Sequence, residues 1–254
     1  MFTPHPAVNV TLQELLSGVQ AALGEQFAGM YLYGSLSSGD FNPTTSDIDF
    51  VVVTEGELPA ERVAALEALH LRLWAEGSHW AAHLEGAYVP RAALRRYDPA
   101  APPVPTVNEG HFYISGFGSD WVIQRHVMRE HGVVLAGPAP ASLIDPVTPA
   151  ELRQAMIEIL RGWWGPVVLA DPAFLSRADY QAFAVLTMCR ALYVFEYGAI
   201  VSKAAAARWA STALPECWHS LIQQAAAWRP GQEIGRVEEI RAFIRYTVEQ
   251  AADS

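Results

Sequence analysis

Cysteine is scarce. The 254 residues include only Cys189 and Cys217, which offer no disulfide framework and stand at no metal-ligand spacing, so a reducing compartment is compatible. Basic residues are also few, with 17 Lys and Arg against 27 Asp and Glu and a net charge of -10. That balance is a poor endowment for gripping a polyanionic backbone, and it argues against nucleic acid as the main partner. No apolar run is long and charge-free enough to span a bilayer, and the opening MFTPHPAVNV lacks the basic and apolar regions of a signal peptide. A cytoplasmic protein without a membrane partner is the expectation. What is present is a hydrophobic fraction of 51%, enough to bury a sizeable core in one large domain or two modest ones. The acidic balance suits solubility, and it equally suits a polycationic small-molecule partner.

Along the chain, Thr11 to Leu23 reads as an amphipathic helix, with Leu12, Leu15, Leu16, Val19 and Leu23 at helical spacing and Thr11 and Glu14 as a capping box. Met30 to Tyr33 is an apolar segment that runs into Gly34-Ser35, a polar stretch and then Ile48 to Val53, which together read as strand, turn, strand. A second helix is expected from Pro59 to about Trp74, and a third strand at LEGAYV, residues 84–89. Residues 97–105, YDPAAPPVP, hold too much proline for helix or sheet and read as a surface loop; a second break spans residues 137–149. Thr148-Pro149-Ala150-Glu151 then supplies an N-cap, a first-turn proline and a capping-box acid. These open a helix through Leu152, Met156, Ile159 and Trp163. Segments 179–197, 203–211, 215–228 and 234–250 keep helical spacing, so the last third reads as a small bundle.

The chemistry concentrates in YLYGSLSSGDFNPTTSDIDFVVV, residues 31–53. Residues two apart on a strand share a face, so Asp47 and Asp49 point the same way, roughly 7 Å apart, while Ile48, Phe50 and Val52 face the core. Charges so placed are costly without a partner such as a metal ion, a metal-held phosphate or a buried cation. Gly34 lets backbone approach a ligand closely, Ser35 with neighbouring amides can hold phosphate oxygens, and Glu85 in the third strand can complete an ion cage. A glycosidase pair is the weaker reading, because its acids usually come from separate elements across a sugar.

Gly-Ser, a short gap, Asp-x-Asp and a later strand carboxylate together resemble the nucleotidyltransferase superfamily. The 31–53 stretch is similar, within it, to the streptomycin and spectinomycin adenylyltransferases. So are EHGVVLAGPAPASLIDPV and VLTMCRALYVFEYGAIVSKAAAARWASTALP, residues 185–215, the likeness thinning mainly in residues 90–120. The resemblance implies an α+β fold with an N-terminal nucleotidyltransferase-type mixed sheet over residues 1–147 and an α-helical bundle over 148–254 that closes the substrate cleft. It implies two magnesium ions on Asp47, Asp49 and Glu85, with Glu85 also the base toward an acceptor hydroxyl. Gly34, Ser35 and Ser46 would meet phosphate oxygens, and Arg190 and Lys203 would reach the triphosphate of ATP. The family's antibiotic-contacting acid falls at Tyr180 here, with Asp179 one position away as the candidate substrate residue.

Blander readings stand beside these. His79 and His83 have the spacing of a zinc pair, but their surroundings suggest a partly exposed helix end. Trp163, Trp164, Trp209 and Trp218 read as core or interface packing, and Arg190 by itself could be a structural cation pairing Glu196. The expected activity is magnesium-dependent transfer of AMP from ATP to a hydroxyl of an aminoglycoside-like, cationic small molecule by a monomer, with release of pyrophosphate. The alternatives are nucleotidylation of a protein partner and a non-catalytic nucleotide-binding module.

Overall fold

The computed structural model describes residues 1–251. They form two compact units, Met1–Pro146 and Val147–Ser254. The first contains helices α1 (Pro6–Leu23), α2 (Gly34–Ser38), α3 (Ala60–Ala75), α4 (His79–Ala82), α5 (Arg91–Arg95), α6 (Asp120–His131) and α7 (Pro140–Leu143). Its strands are β1 (Phe27–Leu32), β2 (Ile48–Thr54), β3 (Leu84–Pro90), β4 (Val104–Asn108), β5 (His111–Ser115) and β6 (Val133–Ala136). The strands make one mixed sheet in the order β5-β4-β3-β2-β1-β6; β2 and β3 run parallel and every other pair is antiparallel.

Both faces of this sheet are buried. Ile48, Phe50 and Val52 pack with α1, α3 and α4 residues such as Leu12, Leu69 and Trp80. Val51 and Val53 point the other way, into a second core with Leu94, Trp121, Met128 and Leu143. The one-faced expectation for β2 is thus incomplete: its run of hydrophobic residues is the pattern of a strand covered on both sides. Each such side chain contributes roughly 1.5–3 kcal/mol by leaving water, which makes the position of β2 hard to shift.

Three expectations for this unit are corrected. Helix α1 begins at Pro6, whose fixed φ suits a first turn, so Thr11 lies inside the helix and meets Ser78 Oγ at 3.3 Å instead of capping. The stretch after β1 is not simply a turn, since Gly34–Ser38 winds into the short helix α2, closed by the left-handed Gly39. The proline-rich loop ends earlier than expected because Val104 and Pro105 already belong to β4, where Pro105 faces Ile114 across the hairpin. The break at 137–149 also contains α7.

The second unit holds α8 (Pro149–Ile159), a π-helical continuation (Leu160–Val168), α9 (Ala178–Tyr197), α10 (Lys203–Ala213), α11 (His219–Ala227) and α12 (Val237–Gln250). Thr148 and Glu151 form the expected reciprocal capping box. The helix loosens after Ile159, where Gly162, Gly165 and Pro166 follow; proline lacks the N–H an α-turn needs, and the wider winding accommodates it. Trp164 is consequently buried, whereas Trp163 is turned outward, 41% exposed, in an edge-to-face contact with Phe174, which removes the core half of its core-or-interface reading. No helix among the described residues is long and apolar enough to cross a membrane.

Candidate active site

Asp49 and Glu85 are direct register partners on the parallel strands β2 and β3. Neighbouring strands lie about 4.8 Å apart, so both carboxylates leave the sheet side by side. Gly34 abuts this pair: its φ is +63°, and a methyl group there would stand 1.9 Å from Asp49 Oδ2. Glycine is therefore required twice over, by conformation and by space. Tyr33, just before it, is buried with its backbone amide donating to the Asp49 carbonyl at 3.2 Å. Burial, and then the negative charges of Asp49, Glu85 and Asp120, push the Tyr33 phenol well above its ordinary pKa and keep it protonated.

Asp47 is arranged differently. It lies on the exposed approach to β2, and its Oδ1 is 2.9 Å from His83 Nδ1. His83 follows the one-turn helix α4, and its ring stacks at a tilt on His79, 4.5 Å between centroids. His83 thus pairs with the acid, and among the described residues no three His, Cys, Asp or Glu side chains gather closely enough to hold a metal ion. The Asp47 to His83 contact escaped the sequence reading because it joins residues 36 apart. Ser46 turns inward in the same loop, where its Oγ accepts from the Asn42 amide at 3.0 Å. Ser35 lies in the first turn of α2.

The oxygen donors suit magnesium. That ion keeps several waters and substrate phosphate oxygens in its shell and takes only one or two carboxylates from a protein. Asp49 and Glu85 could supply those carboxylates as they stand, and Asp47 could add a third only by giving up His83.

In the second unit, Arg190 is half-buried on α9 and Lys203 is the first residue of α10, which packs against α9. Lys203 Nζ sits 4.3 Å above the Phe183 ring. Phe183 precedes Arg190 by two helical turns on the same face, so packing lines the two cations along one helix surface. Asp179, near the start of α9, is engaged by Arg177 through two hydrogen bonds, and they hold its carboxyl below the usual range. Tyr180 belongs to an aromatic cluster with Trp164, Phe174 and Phe183.

Unforeseen in the sequence is a cavity of about 400 Å³ in the first unit, beside Glu85. Tyr33, Asn108, Tyr113, Asp120 and Gln124 line it, and the Gln124 amide donates to Asp120 Oδ2 at 2.7 Å. The four-residue spacing of Asp120 and Gln124 was a legible signal once α6 is placed.

Paired strand carboxylates behind a Gly-Ser turn on this sheet define a nucleotidyltransferase. Known proteins agree. A family model for the nucleotidyltransferase domain matches residues 13–95, and one for the C-terminal domain of aminoglycoside adenylyltransferase matches residues 142–254. An aminoglycoside (3'') (9) adenylyltransferase of Klebsiella pneumoniae is 27% identical over 256 residues, spanning 94% of this chain and 93% of that protein. Its counterpart in Rhizobium radiobacter is 28% identical over 253 residues, spanning 92% and 89%. Among solved structures, the spectinomycin adenyltransferase from Enterococcus faecialis, crystallised with ATP and spectinomycin, shares the fold. The TM-score is 0.74 at 16% identity, covering 96% of this chain and 99% of that one. The chain is thus similar over nearly its whole length to the aminoglycoside adenylyltransferases, its first part matching the nucleotidyltransferase domain and its last part their C-terminal domain.

Proposed function

We propose that the protein transfers AMP from ATP to a hydroxyl group of an aminoglycoside, releasing pyrophosphate. The observation that carries this reading is the register pairing of Asp49 with Glu85 against Gly34. Glu85 borders the cavity, so it is the acid placed to accept the acceptor's hydroxyl proton. The acceptor oxygen then bonds to the α-phosphorus, and the bond from that phosphorus to the oxygen bridging toward the β-phosphate breaks. Two magnesium ions on Asp47, Asp49 and Glu85 would neutralise phosphate charge and acidify the attacking hydroxyl.

Gly34 allows the chain to approach the phosphates closely, and Ser35 and Ser46 offer hydroxyl groups to their oxygens. Arg190 and Lys203 hold the triphosphate, since a polyanion on an acid-rich chain needs cations and these two share one helix surface. Asp179 contacts the acceptor on exchanging Arg177 for one of its cationic groups. The curated relatives, matched over nearly their whole length, are named for adenylyl transfer to aminoglycosides, and the Enterococcus neighbour was crystallised with both ATP and spectinomycin.

Incubation of the full chain with ATP, magnesium and a panel including spectinomycin and streptomycin tests the reading by mass spectrometry. The expected result is a drug heavier by one adenylyl group and stoichiometric pyrophosphate. No modified drug, with label from ATP appearing on a protein band, would overturn it in favour of protein modification.

A further inference from the structure

The cavity beside Glu85 has a one-sided chemistry. Among the described residues lining it, Glu85 and Asp120 are acids and none is Lys, Arg or His. Thr106, Asn108, Ser115 and Tyr113 add neutral hydrogen-bonding groups. A triphosphate brought against Asp120 would meet a carboxylate with no cationic side chain in the lining beside it, so of the two substrates the cationic acceptor is the one that suits this wall. A compact molecule with hydroxyls and an ammonium group is its complement, and about 400 Å³ is room for one.

Asp120 is built into the wall. As the first residue of α6, it accepts a hydrogen bond from Gln124 Nε2 and lies beside the helix-start amides, which offset part of the rise that burial gives its pKa. On its other side a methyl group at Gly118 would come within 2.5 Å of Oδ1, so only glycine leaves the carboxylate where it is. Gln124 also links it toward the Tyr33 hydroxyl, 3.4 Å from Gln124 Oε1. The carboxylate is open to solvent through the cavity mouth, yet the surrounding protein still withdraws water from it and raises its pKa. A cationic group arriving there offsets that loss of hydration.

We infer that Asp120 is a specificity-determining residue that binds an ammonium group of the acceptor inside the cavity bordered by Glu85. The inference rests on the proposed adenylyl transfer. It divides labour between two acids: Glu85 meets the reacting hydroxyl, and Asp120 meets a cation elsewhere on the same molecule, fixing which hydroxyl is presented.

A purely structural role at the head of α6 makes a different prediction, because Asn satisfies helix-start amides about as well as Asp. Asp120→Asn therefore separates charge from capping. In steady-state assays of the full chain with ATP, magnesium and spectinomycin, it should raise KM for the drug about 10- to 100-fold, the range for a lost charged hydrogen bond. KM for ATP and the melting temperature should stay at wild-type values. N-acetylated spectinomycin should lose the same factor with the wild-type protein and show no difference between wild type and variant. Gly118→Ala, which pushes the carboxylate aside without altering charge, should reproduce the drug-specific defect, and it stands in if Asp120→Asn fails to fold. An unchanged drug KM in both variants overturns the inference, as does a defect equally large for the acetylated drug. Failure of the wild-type protein to modify any panel drug overturns the adenylyl-transfer reading itself, a result distinct from either.

Discussion

The two units present opposite charges by opposite means. In the sheet unit, Asp49 and Glu85 are set by strand register, and moving either by one residue would send its side chain to the other face and into a hydrophobic core. In the helical unit, Arg190 and Lys203 are set by packing of α9 and α10 around Phe183; a slip of one residue rotates a side chain by about 100°, which would carry Arg190 to the buried place of Cys189 or Ala191 but leave Lys203 beside solvent at the place of Ser202 or Ala204. The difference teaches where tolerance lies. The strand-borne acids and the α9-borne Arg190 are fixed by the same forces that hold the core, whereas Lys203, at the first turn of α10, depends on a few side-chain contacts.

The sharpest way to break this comparison is Glu85→Gln, which keeps volume and register while removing the charge and the base. Turnover should fall by about two to four orders of magnitude, the range for a lost general base, with magnesium-ATP affinity by calorimetry nearly retained. Near-normal turnover would place the base elsewhere. A smaller effect is expected in the helical unit. Arg190→Ala and Lys203→Ala should each raise KM for ATP about 10- to 100-fold, by loss of a charged hydrogen bond, while the melting transition of the sheet unit is unchanged. Wild-type ATP kinetics in both variants would remove the cations from the nucleotide site.

The smallest effect concerns the core beneath the acids. His70 is fully buried, its Nε2 lies 2.7 Å from the Tyr88 hydroxyl, and burial lowers its pKa from 6.5 to about 4. The unfolded chain therefore takes up a proton at higher pH than the folded one, and the stabilisation held near neutrality is lost as pH falls from about 6.5 toward about 4. Between pH 7 and pH 5.5 this amounts to roughly 1 kcal/mol. Denaturant melts of wild type and His70→Gln at both pH values check it: the wild type should lose that much more than the variant, and parallel losses would dissociate His70 from the effect.

The sequence was most legible where the signal was local. The Ile48 to Val53 run, LEGAYV and the Thr148 capping box each lie within a few residues, and each became the element expected, although Asp47 falls just before the strand instead of on it. The β4–β5 hairpin was missed because Pro105 disguises β4, while β5, an edge strand, exposes His111, Tyr113 and Ile114 and lacks the apolar alternation of a covered strand. The Asp120 corner went unread for a related reason, since its cavity is assembled from β3, β4, β5 and α6, and only their pairing makes residues 85, 108 and 120 neighbours. His83 illustrates a different limit: its spacing to His79 was visible in the sequence, but its service to Asp47 depends on where β2 and β3 align.

The reciprocal bonds between Thr148 and Glu151 also bear on recombination. The chain passes from one unit to the next at Pro146, two residues before the cap, and the reciprocal capping bonds of α8 lie wholly on the downstream side. A crossover at that point would carry the helical segment away with its capping box intact. Shuffled genes joined there would exchange the cation-bearing half as a self-starting cassette, and new combinations of acid and cation could arise from a single splice.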